Sequence, residues 1–501
     1  MIYQSAFTAK NGSLIPIYSS GKPGCSKYNP EREAETQKQN LREADFFIFA
    51  GTGGGFLIQE TAKAFPEARI LAVEETEEDI SFLKNNFPLI KKLSEQKNII
   101  FAWEKTFSAL LLENYLPAVH SNLEFYALPS WAQENPDAKN RIVSILQQTL
   151  DTIRKDFSVQ AHFGKIWTKN ILQNLTLCRQ ETEAEFPIEK KAVVCAAGPT
   201  LEKKITDLKK ESSGNFVIAT DTAYKILLRN NVKVDAVFSV DGQHVSINHF
   251  TKKTEQNPLF IFSLSGNHHI ALKLSQANKK VIFTVSKNPL EQLVYCNGKD
   301  SFLPVDTTSG TVTVAAADFA RKAGFKNIEI YGADFSYPGG KAYAAGSYLD
   351  DIYQMNQKRN ANIETSFSKL MYRTELFQNE EGNATTETLS FYRKELSKWA
   401  EKNGCTILKK DGVYRIKAPG KNEFSKGSLK PFNQKMLKDC IQEKAGRLTA
   451  EESGAEEFIY SLLPLISSMK LSDIKKGDVK KFDVYLKLAL NFILRYTEKY
   501  E

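Results

Sequence analysis

The chain has 501 residues, of which 42% are hydrophobic, 25% charged and 11% aromatic, and its formal net charge is +8. This length is too great for one hydrophobic core and predicts about three domains, while 67 basic residues interspersed among 59 acidic ones indicate a solvated surface and no nucleic-acid partner. The sequence contains no apolar run of about 18 residues and no secretory signal, which predicts a cytoplasmic protein without a membrane span. The 6 cysteines include no CxxC pair, which predicts reduced thiols and no zinc site.

A strand, a glycine turn and a helix are predicted first, within ADFFIFAGTGGGFLIQETAKAF (residues 44–65). The next predicted strand ends in Glu74 and Glu75, about 20 residues after the turn. A glycine turn followed at this distance by an acid is the sequence form of a mononucleotide-binding unit, although the same glycines are expected if strand and helix simply pack closely. We predict a Rossmann-like N-terminal domain over residues 1–138 and leave its ligand open; a methyltransferase activity is one alternative.

Three further regions follow this domain. Apolar positions at helical spacing predict a helical linker over residues 139–184, in which Asn170 and Asn174 are expected to be packing residues. Residues 185–424 alternate strand and helix patterns, which is typical of an α/β domain with a mostly parallel sheet covered on both faces. A last helix and strand of this region are expected to extend the edge of the sheet. Amphipathic, lysine-rich segments predict a helical C-terminal domain over residues 425–501.

Polar side chains and a tight turn follow four of the strands predicted in the central domain. Because ligands bind outside the carboxyl ends of the strands of an open parallel sheet, we expect these residues to share one rim. The candidates are Gly198, Pro199, Thr200, Asp221, Asp241, Gln243, Asp334 and Tyr337.

Small hydroxyl residues precede the predicted alanine-rich helix in TTSGTVTVAAADFA (residues 307–320). The first turn of a helix leaves backbone N–H groups unpaired and carries partial positive charge, so a phosphate placed there gains hydrogen bonds from the backbone. Ser309 and Thr311 can add hydroxyl donors, and Gly310 removes a Cβ that would hold the phosphate away. The alternative is an ordinary helix cap formed by Thr308 or Ser309, without a ligand.

Several segments of the central domain carry a family resemblance. The segments are VVCAAGPTL (193–201), IATDTAYK (218–225), AVFSVDGQ (236–243), the run from Thr308 to Tyr337, and KELSKWAEKNGCTIL (394–408). In order and spacing they resemble the bacterial sialyltransferases that use CMP-sialic acid. With the glycine-rich N-terminal domain and the helical C-terminal region included, the chain is still more similar to the motility-associated factor (Maf) flagellin glycosyltransferases.

The resemblance implies a glycosyltransferase that moves a nonulosonic acid of the pseudaminic, legionaminic or sialic type from a CMP-activated donor to Ser and Thr hydroxyls of flagellin, as flagellar assembly and motility require. The implied donor-binding residues are Gly198, Pro199, Thr200, Asp221, Asp241, Gln243, Ser309, Gly310 and Thr311. The implied catalytic residues are Asp334, Tyr337 and Asp241, with Tyr337 stabilising the departing phosphate. Such a transfer requires no cofactor, because the leaving CMP carries a single phosphate.

Departures from the sialyltransferase pattern affect these expectations. Ala197 replaces an asparagine, and the catalytic histidine has no counterpart, because no histidine follows His269. The candidates for the base that takes the acceptor's proton are Asp334 first, then Asp350, Asp351 and Tyr343, and then His244 and His249. Aspartates at positions 221 and 241, where the family has asparagines, gather negative charge that Mg²⁺ would offset.

Two other functions stay open. The central domain is also similar to the archaeal 6-hydroxymethylpterin diphosphokinases, in which Asp221, Asp241 and Asp334 would hold Mg²⁺ against the phosphates of ATP. A non-catalytic nucleotide-sugar-binding protein is the remaining alternative.

Overall fold

The computed structural model describes residues 1–211, 214–250, 255–358, 362–424, 428–449 and 456–500. Contacts within the chain divide it into two compact units. Unit 1 consists of Met1–His162 and Leu463–Tyr485, and unit 2 consists of Phe163–Leu462 and Leu486–Glu501. This division is coarser than the predicted domain boundaries, which stay predictions. The predicted start of the C-terminal domain at residue 425 lies outside the described residues.

Unit 1 contains, among its described residues, a parallel sheet of four strands and an antiparallel pair formed by its first two strands. Its strands are β1 (Tyr3–Thr8), β2 (Leu14–Tyr18), β3 (Phe46–Ala50), β4 (Arg69–Glu74), β5 (Ile99–Trp103) and β6 (Leu123–Ala127). Its helices are α1 (Pro30–Lys38), α2 (Phe56–Ala64), α3 (Glu77–Asn86), α4 (Pro88–Ser94), α5 (Glu104–Asn114), α6 (Pro129–Glu134) and the first part of α7 (Pro136–Asn174). In the described residues, parallel strands pair in the order β5, β4, β3, β6, which confirms the predicted Rossmann-like fold.

Unit 2 contains the central α/β region and helices of the C-terminal region. Its strands are β7 (Thr182–Glu183), β8 (Lys191–Cys195), β9 (Asn215–Thr220), β10 (Ala236–Ser239), β11 (Leu259–Ser263), β12 (Val281–Val285), β13 (Leu303–Pro304), β14 (Asn327–Tyr331), β15 (Phe377–Gln378), β16 (Ala384–Thr385), β17 (Thr406–Lys410), β18 (Val413–Lys417) and β19 (Ser428–Leu429). The helices that begin in it are α8 (Ile205–Lys210), α9 (Asp221–Arg229), α10 (His268–Gln276), α11 (Pro289–Cys296), α12 (Val312–Ala323), α13 (Tyr348–Met355), α14 (Ile363–Met371), α15 (Glu387–Lys402), α16 (Gln434–Thr449) and α17 (Glu456–Ile474). The last helix, α18 (Phe482–Thr497), ends in unit 2.

The main sheet of unit 2 runs β13, β12, β11, β10, β9, β8, β14, β18, β17 across the described residues. The strands from β13 to β14 are parallel, and β18 and β17 pair antiparallel at one edge. The predicted mostly parallel sheet, its extension by a last helix and strand, and the helical C-terminal region are therefore confirmed. None of the described helices is long and apolar enough to cross a membrane.

The alanine-rich helix α12 packs deeply in the core of unit 2. The side chains of Ala315, Ala316, Ala317, Ala320 and Ala323 are fully buried, and small side chains let a helix approach a sheet closely. A helix that connects parallel strands runs antiparallel to them. The amino end of α12 therefore lies at the carboxyl edge of the sheet, where a ligand is expected.

Candidate active site

A cavity of about 360 Å³ opens at the carboxyl edge of the unit 2 sheet, between the loops that follow β8 and β14. The strand order reverses at this pair, because β9 to β13 extend on one side of β8 while β14 lies on the other. Ligands of doubly wound sheets bind in the crevice that such a reversal leaves. Hydroxyl residues dominate the polar lining, among them Thr313, Ser336, Tyr337, Tyr343 and Thr386.

The first turn of α12 forms one wall of the cavity through Thr311 and Thr313. Thr311 caps the helix, since its hydroxyl oxygen accepts from the backbone N–H of Thr313 at 3.4 Å, and the alternative caps Thr308 and Ser309 are therefore wrong. Gly310 turns the chain into the helix with a φ of +70°, a left-handed conformation that favours glycine. Ser309 is only 6% exposed, and its Oγ has no hydrogen-bond partner among the described residues.

Asp334 and the turn after β8 form a second wall. The Asp334 carboxylate, in a residue that is 7% exposed, accepts from the backbone N–H of Thr200 at 3.0 Å and from the Thr200 hydroxyl. Burial raises the pKa of Asp334 above its usual range, and the hydrogen bonds from Thr200 oppose that rise. A Cβ at position 198 would overlap the carbonyl oxygen of Gly332 and the Asp334 carboxylate, so this contact requires Gly198. Gly198 and Asp334 line the cavity, whereas Pro199 and Thr200 do not.

Tyr337, Tyr343 and Arg373 line the cavity from segments that follow β14. Burial raises the pKa of Tyr337, and the positive charge of Arg373 opposes the rise. Burial also raises the pKa of Tyr343 to about 12, so its hydroxyl stays protonated at neutral pH and can donate to an anion. No sequence signal points to Arg373, because it lies in MYRTELF (residues 371–377), which follows no predicted strand of the sheet and matches no motif.

Asp221 and Asp241 lie near the same edge of the sheet, but neither they nor Gln243 line the cavity. The buried Asp221 carboxylate accepts from the backbone N–H of Thr222 at 2.7 Å and from the Ser239 hydroxyl at 2.7 Å. Asp241 accepts from the backbone N–H of Gln243 at 2.8 Å, and burial together with the charge of Asp221 raises the pKa of Asp241. The structure therefore does not bring Asp221, Asp241 and Gln243 into the cavity with the predicted donor-binding residues that line it, and the two carboxylates accept hydrogen bonds from the protein's own donors.

Other candidates for the proton acceptor are also engaged within the protein. Asp350 belongs to the capping box of α13, and Asp351 is paired with two cations at 2.5 Å each. His249 is buried and packs edge-on against the Tyr348 ring, outside the cavity lining. Of the carboxylates predicted as acceptors, Asp334 is the one in the cavity wall.

Two asparagines in the second half of α7 hold the loops beside the site. Asn170 Nδ2 donates to the carbonyl oxygens of Gly242 at 3.0 Å and Ser265 at 3.1 Å. Asn174 Nδ2 donates to two carbonyl oxygens of the loop after β11, at 2.9 and 3.0 Å. Both side chains are buried, which confirms the expectation that they are packing residues.

The corresponding crevice of unit 1, beyond β3 and β6, is filled by protein. The strand order reverses between these two strands, as it does between β8 and β14. A Cβ on Gly51 would overlap the ring of Trp131, and a Cβ on Gly53 would overlap the side chain of Leu128. Of the two explanations for the glycine turn, close packing is therefore the one that the structure supports.

Glu74, the acid that follows the glycine turn in sequence, is 0% exposed and saturated with hydrogen bonds. It accepts from the Tyr3 hydroxyl at 2.9 Å and from the indole N–H of Trp131 at 2.8 Å. The backbone N–H and the hydroxyl of Thr52 donate to it as well, both at 2.8 Å. In a dinucleotide-binding domain the equivalent acid binds the ribose. Here it binds the protein's own donors instead.

Comparison with known proteins agrees with this architecture. Residues 167–340 match the family model described as 6-hydroxymethylpterin diphosphokinase MptE-like. The solved structure of a Maf glycosyltransferase from Magnetospirillum magneticum AMB-1 aligns with 99% of this chain and 86% of its own, at a TM-score of 0.50 and 12% identity. The chain has the fold of this Maf glycosyltransferase.

Two uncharacterized proteins of Treponema pallidum (strain Nichols) are also similar. One is 32% identical over 134 residues, which is 26% of this chain and 64% of the relative, so the chain spans just under two thirds of that protein. The other is 29% identical over 218 residues, 43% of this chain and 68% of the relative.

Proposed function

We propose that this protein is a cytoplasmic glycosyltransferase that moves a nonulosonic acid from a CMP-activated donor to Ser or Thr hydroxyls of flagellin, and that it serves flagellar assembly and motility. The observation that carries the proposal is the cavity at the strand reversal between β8 and β14, where the first turn of α12 meets a carboxylate and two tyrosines. The fold shared with a Maf glycosyltransferase and the sialyltransferase-like segments around the cavity support it.

The lining of the cavity suits transfer of a sugar from a phosphate. The amino end of α12 and the Thr311 hydroxyl can hold the donor phosphate. As the bond between the anomeric carbon and the phosphate oxygen breaks, CMP leaves with the bonding electrons, and Tyr337 and Tyr343 can donate to the oxygen that gains charge. The acceptor oxygen bonds to the anomeric carbon, and its proton passes to Asp334, whose raised pKa favours proton acceptance.

The match of residues 167–340 to the diphosphokinase-like family model favours a second candidate, an Mg²⁺-dependent phosphotransferase. Asp221, Asp241 and Asp334 would be its metal ligands. Within the described part of the chain, no three His, Cys, Asp or Glu side chains are grouped so as to hold a metal ion, and neither Asp221 nor Asp241 lines the cavity with Asp334. The glycosyltransferase accounts for the lining of the cavity without rearranging these carboxylates.

Thermal unfolding with CMP, ATP and S-adenosylmethionine, each with and without Mg²⁺, is expected to show stabilisation by CMP in both conditions. A ligand at 100 times its Kd stabilises the folded state by about 2.7 kcal/mol. We expect no shift with S-adenosylmethionine, because Trp131 and Leu128 fill the crevice of unit 1. Stabilisation by ATP with Mg²⁺, and none by CMP, would favour the phosphotransferase instead.

Flagellin from cells that lack this protein is expected to lose the mass of one or more nonulosonic acid residues relative to flagellin from the parent cells. Intact-mass spectrometry of purified flagellin measures the difference, and re-expression of the protein should restore it. An unchanged flagellin mass in the deletion strain would contradict flagellin as the acceptor.

A further inference from the structure

The cavity has an exposed cation that the protein leaves without a partner. Among the described residues that line the cavity, Arg373 is the cation, and its guanidinium has no hydrogen bond or ion pair with any described residue. The carboxylate in the wall, Asp334, is held by the backbone N–H and hydroxyl of Thr200. Arg373 acts electrostatically on Tyr337, another lining residue, so its charge reaches the site. It is therefore available to an anion bound in the cavity.

A second positive centre belongs to a different wall. The first turn of α12, at Thr311 and Thr313, offers backbone N–H groups and the positive end of the helix dipole. A cavity of about 360 Å³ has the size of a site for one small ligand, so a single bound molecule can contact both centres. A ligand with two anionic groups matches this arrangement better than a ligand with one.

We propose that Arg373 binds the carboxylate of the donor sugar and thereby selects a donor whose sugar is an acid, an inference that rests on the proposed function. In a CMP-linked sugar acid of this class, the phosphate oxygen and the carboxylate are substituents of the same anomeric carbon. The phosphate can then lie at α12 while the carboxylate pairs with the guanidinium, whose parallel N–H groups match both carboxylate oxygens. A donor with a neutral sugar lacks the carboxylate that Arg373 binds.

Titration calorimetry of the full chain with CMP, CMP-N-acetylneuraminate and UDP-N-acetylglucosamine tests this assignment. The wild type is expected to bind CMP-N-acetylneuraminate at least about tenfold more tightly than CMP, since a charge-assisted pair contributes that much. Arg373→Gln should weaken binding of CMP-N-acetylneuraminate by about 10- to 100-fold and binding of CMP by less than about threefold. Lys369→Gln, which removes an exposed charge of α14 outside the cavity lining, should change neither.

The possible failures are distinguishable. If Arg373→Gln weakens the binding of CMP and of CMP-N-acetylneuraminate equally, the guanidinium binds the phosphate. The inference is then wrong, and the proposed function stands. The inference is also wrong if the wild type gains nothing from the sugar carboxylate, or if UDP-N-acetylglucosamine binds best and depends on Arg373. If the wild type binds none of the three, the proposed function fails and the inference fails with it. Thermal unfolding of each variant without ligand confirms that it is folded.

Discussion

Replacing Glu74 with alanine is expected to lower the free energy of unfolding of unit 1 by on the order of 4 kcal/mol, because several buried donors lose their acceptor at once. In the wild type this carboxylate accepts hydrogen bonds from the indole N–H of Trp131, the Tyr3 hydroxyl, and the backbone N–H and hydroxyl of Thr52. A buried donor left without a partner costs about 1–3 kcal/mol. Urea unfolding followed by circular dichroism measures the loss.

The matched control for this substitution is Glu113→Ala. Glu113 is exposed on α5 in the same unit, so its replacement should change the free energy of unfolding by less than about 0.5 kcal/mol. A loss of similar size in both variants would contradict the structural role assigned to Glu74. The same result would mean that Glu74 is free to bind a ribose, so the crevice of unit 1 would again be a candidate ligand site.

Titration of Glu74 should make the stability of unit 1 depend on pH. Burial raises the pKa of this carboxyl from 4.5 to about 7, and hydrogen bonds from Thr52 and Tyr3 oppose the rise. The folded state therefore holds the proton more tightly than the unfolded state, so this contribution to stability is complete below the unfolded pKa of 4.5 and is lost as the pH rises through 7. The glutamine of Glu74→Gln does not titrate. Relative to that variant, the free energy of unfolding of the wild type should fall by up to about 3 kcal/mol as the pH rises from 4.5 to 7. Unfolding curves at several pH values test the sign.

Gly198→Ala is expected to lower the stability of unit 2 by about 1–3 kcal/mol, as overpacking does, and to weaken CMP binding at least tenfold. The new Cβ would overlap the Gly332 carbonyl oxygen and the Asp334 carboxylate. Relief of that overlap separates the turn after β8 from the loop after β14, and these segments together form one wall of the cavity. Urea unfolding and calorimetry with CMP measure the two effects.

Gly214→Ala provides the control, because a Cβ there would meet only the Glu211 carbonyl oxygen, at 3.8 Å, which is an ordinary contact. We expect the stability of this variant to change by less than about 1 kcal/mol and its affinity for CMP to stay at the wild-type value. If Gly198→Ala behaves like this control, the close approach of the two loops does not shape the CMP site.

The order of strands and helices could be predicted because its signals are local. Strands buried on both faces, such as Phe46–Ala50, are continuous apolar runs, and glycine turns mark where they end. The alanine-rich helix predicted from TTSGTVTVAAADFA is α12 (Val312–Ala323), and its first turn lies in the cavity as expected. The roles of the rim residues were harder to predict. Asp221 directly follows a strand, but its carboxylate accepts a hydrogen bond from Ser239 on the neighbouring strand. That contact exists only because the two strands pair.

The sequence by itself determined that the chain contains two strand–turn–helix units of the kind that bind nucleotides. Only the tertiary structure decided which of them has room for a ligand. The reason is that each crevice lies between loops from strands that are neighbours in the sheet but distant along the chain, β3 and β6 in one unit and β8 and β14 in the other. After β6 the chain places Trp131 and Leu128 against the glycine turn, whereas after β14 it leaves a cavity beside Asp334.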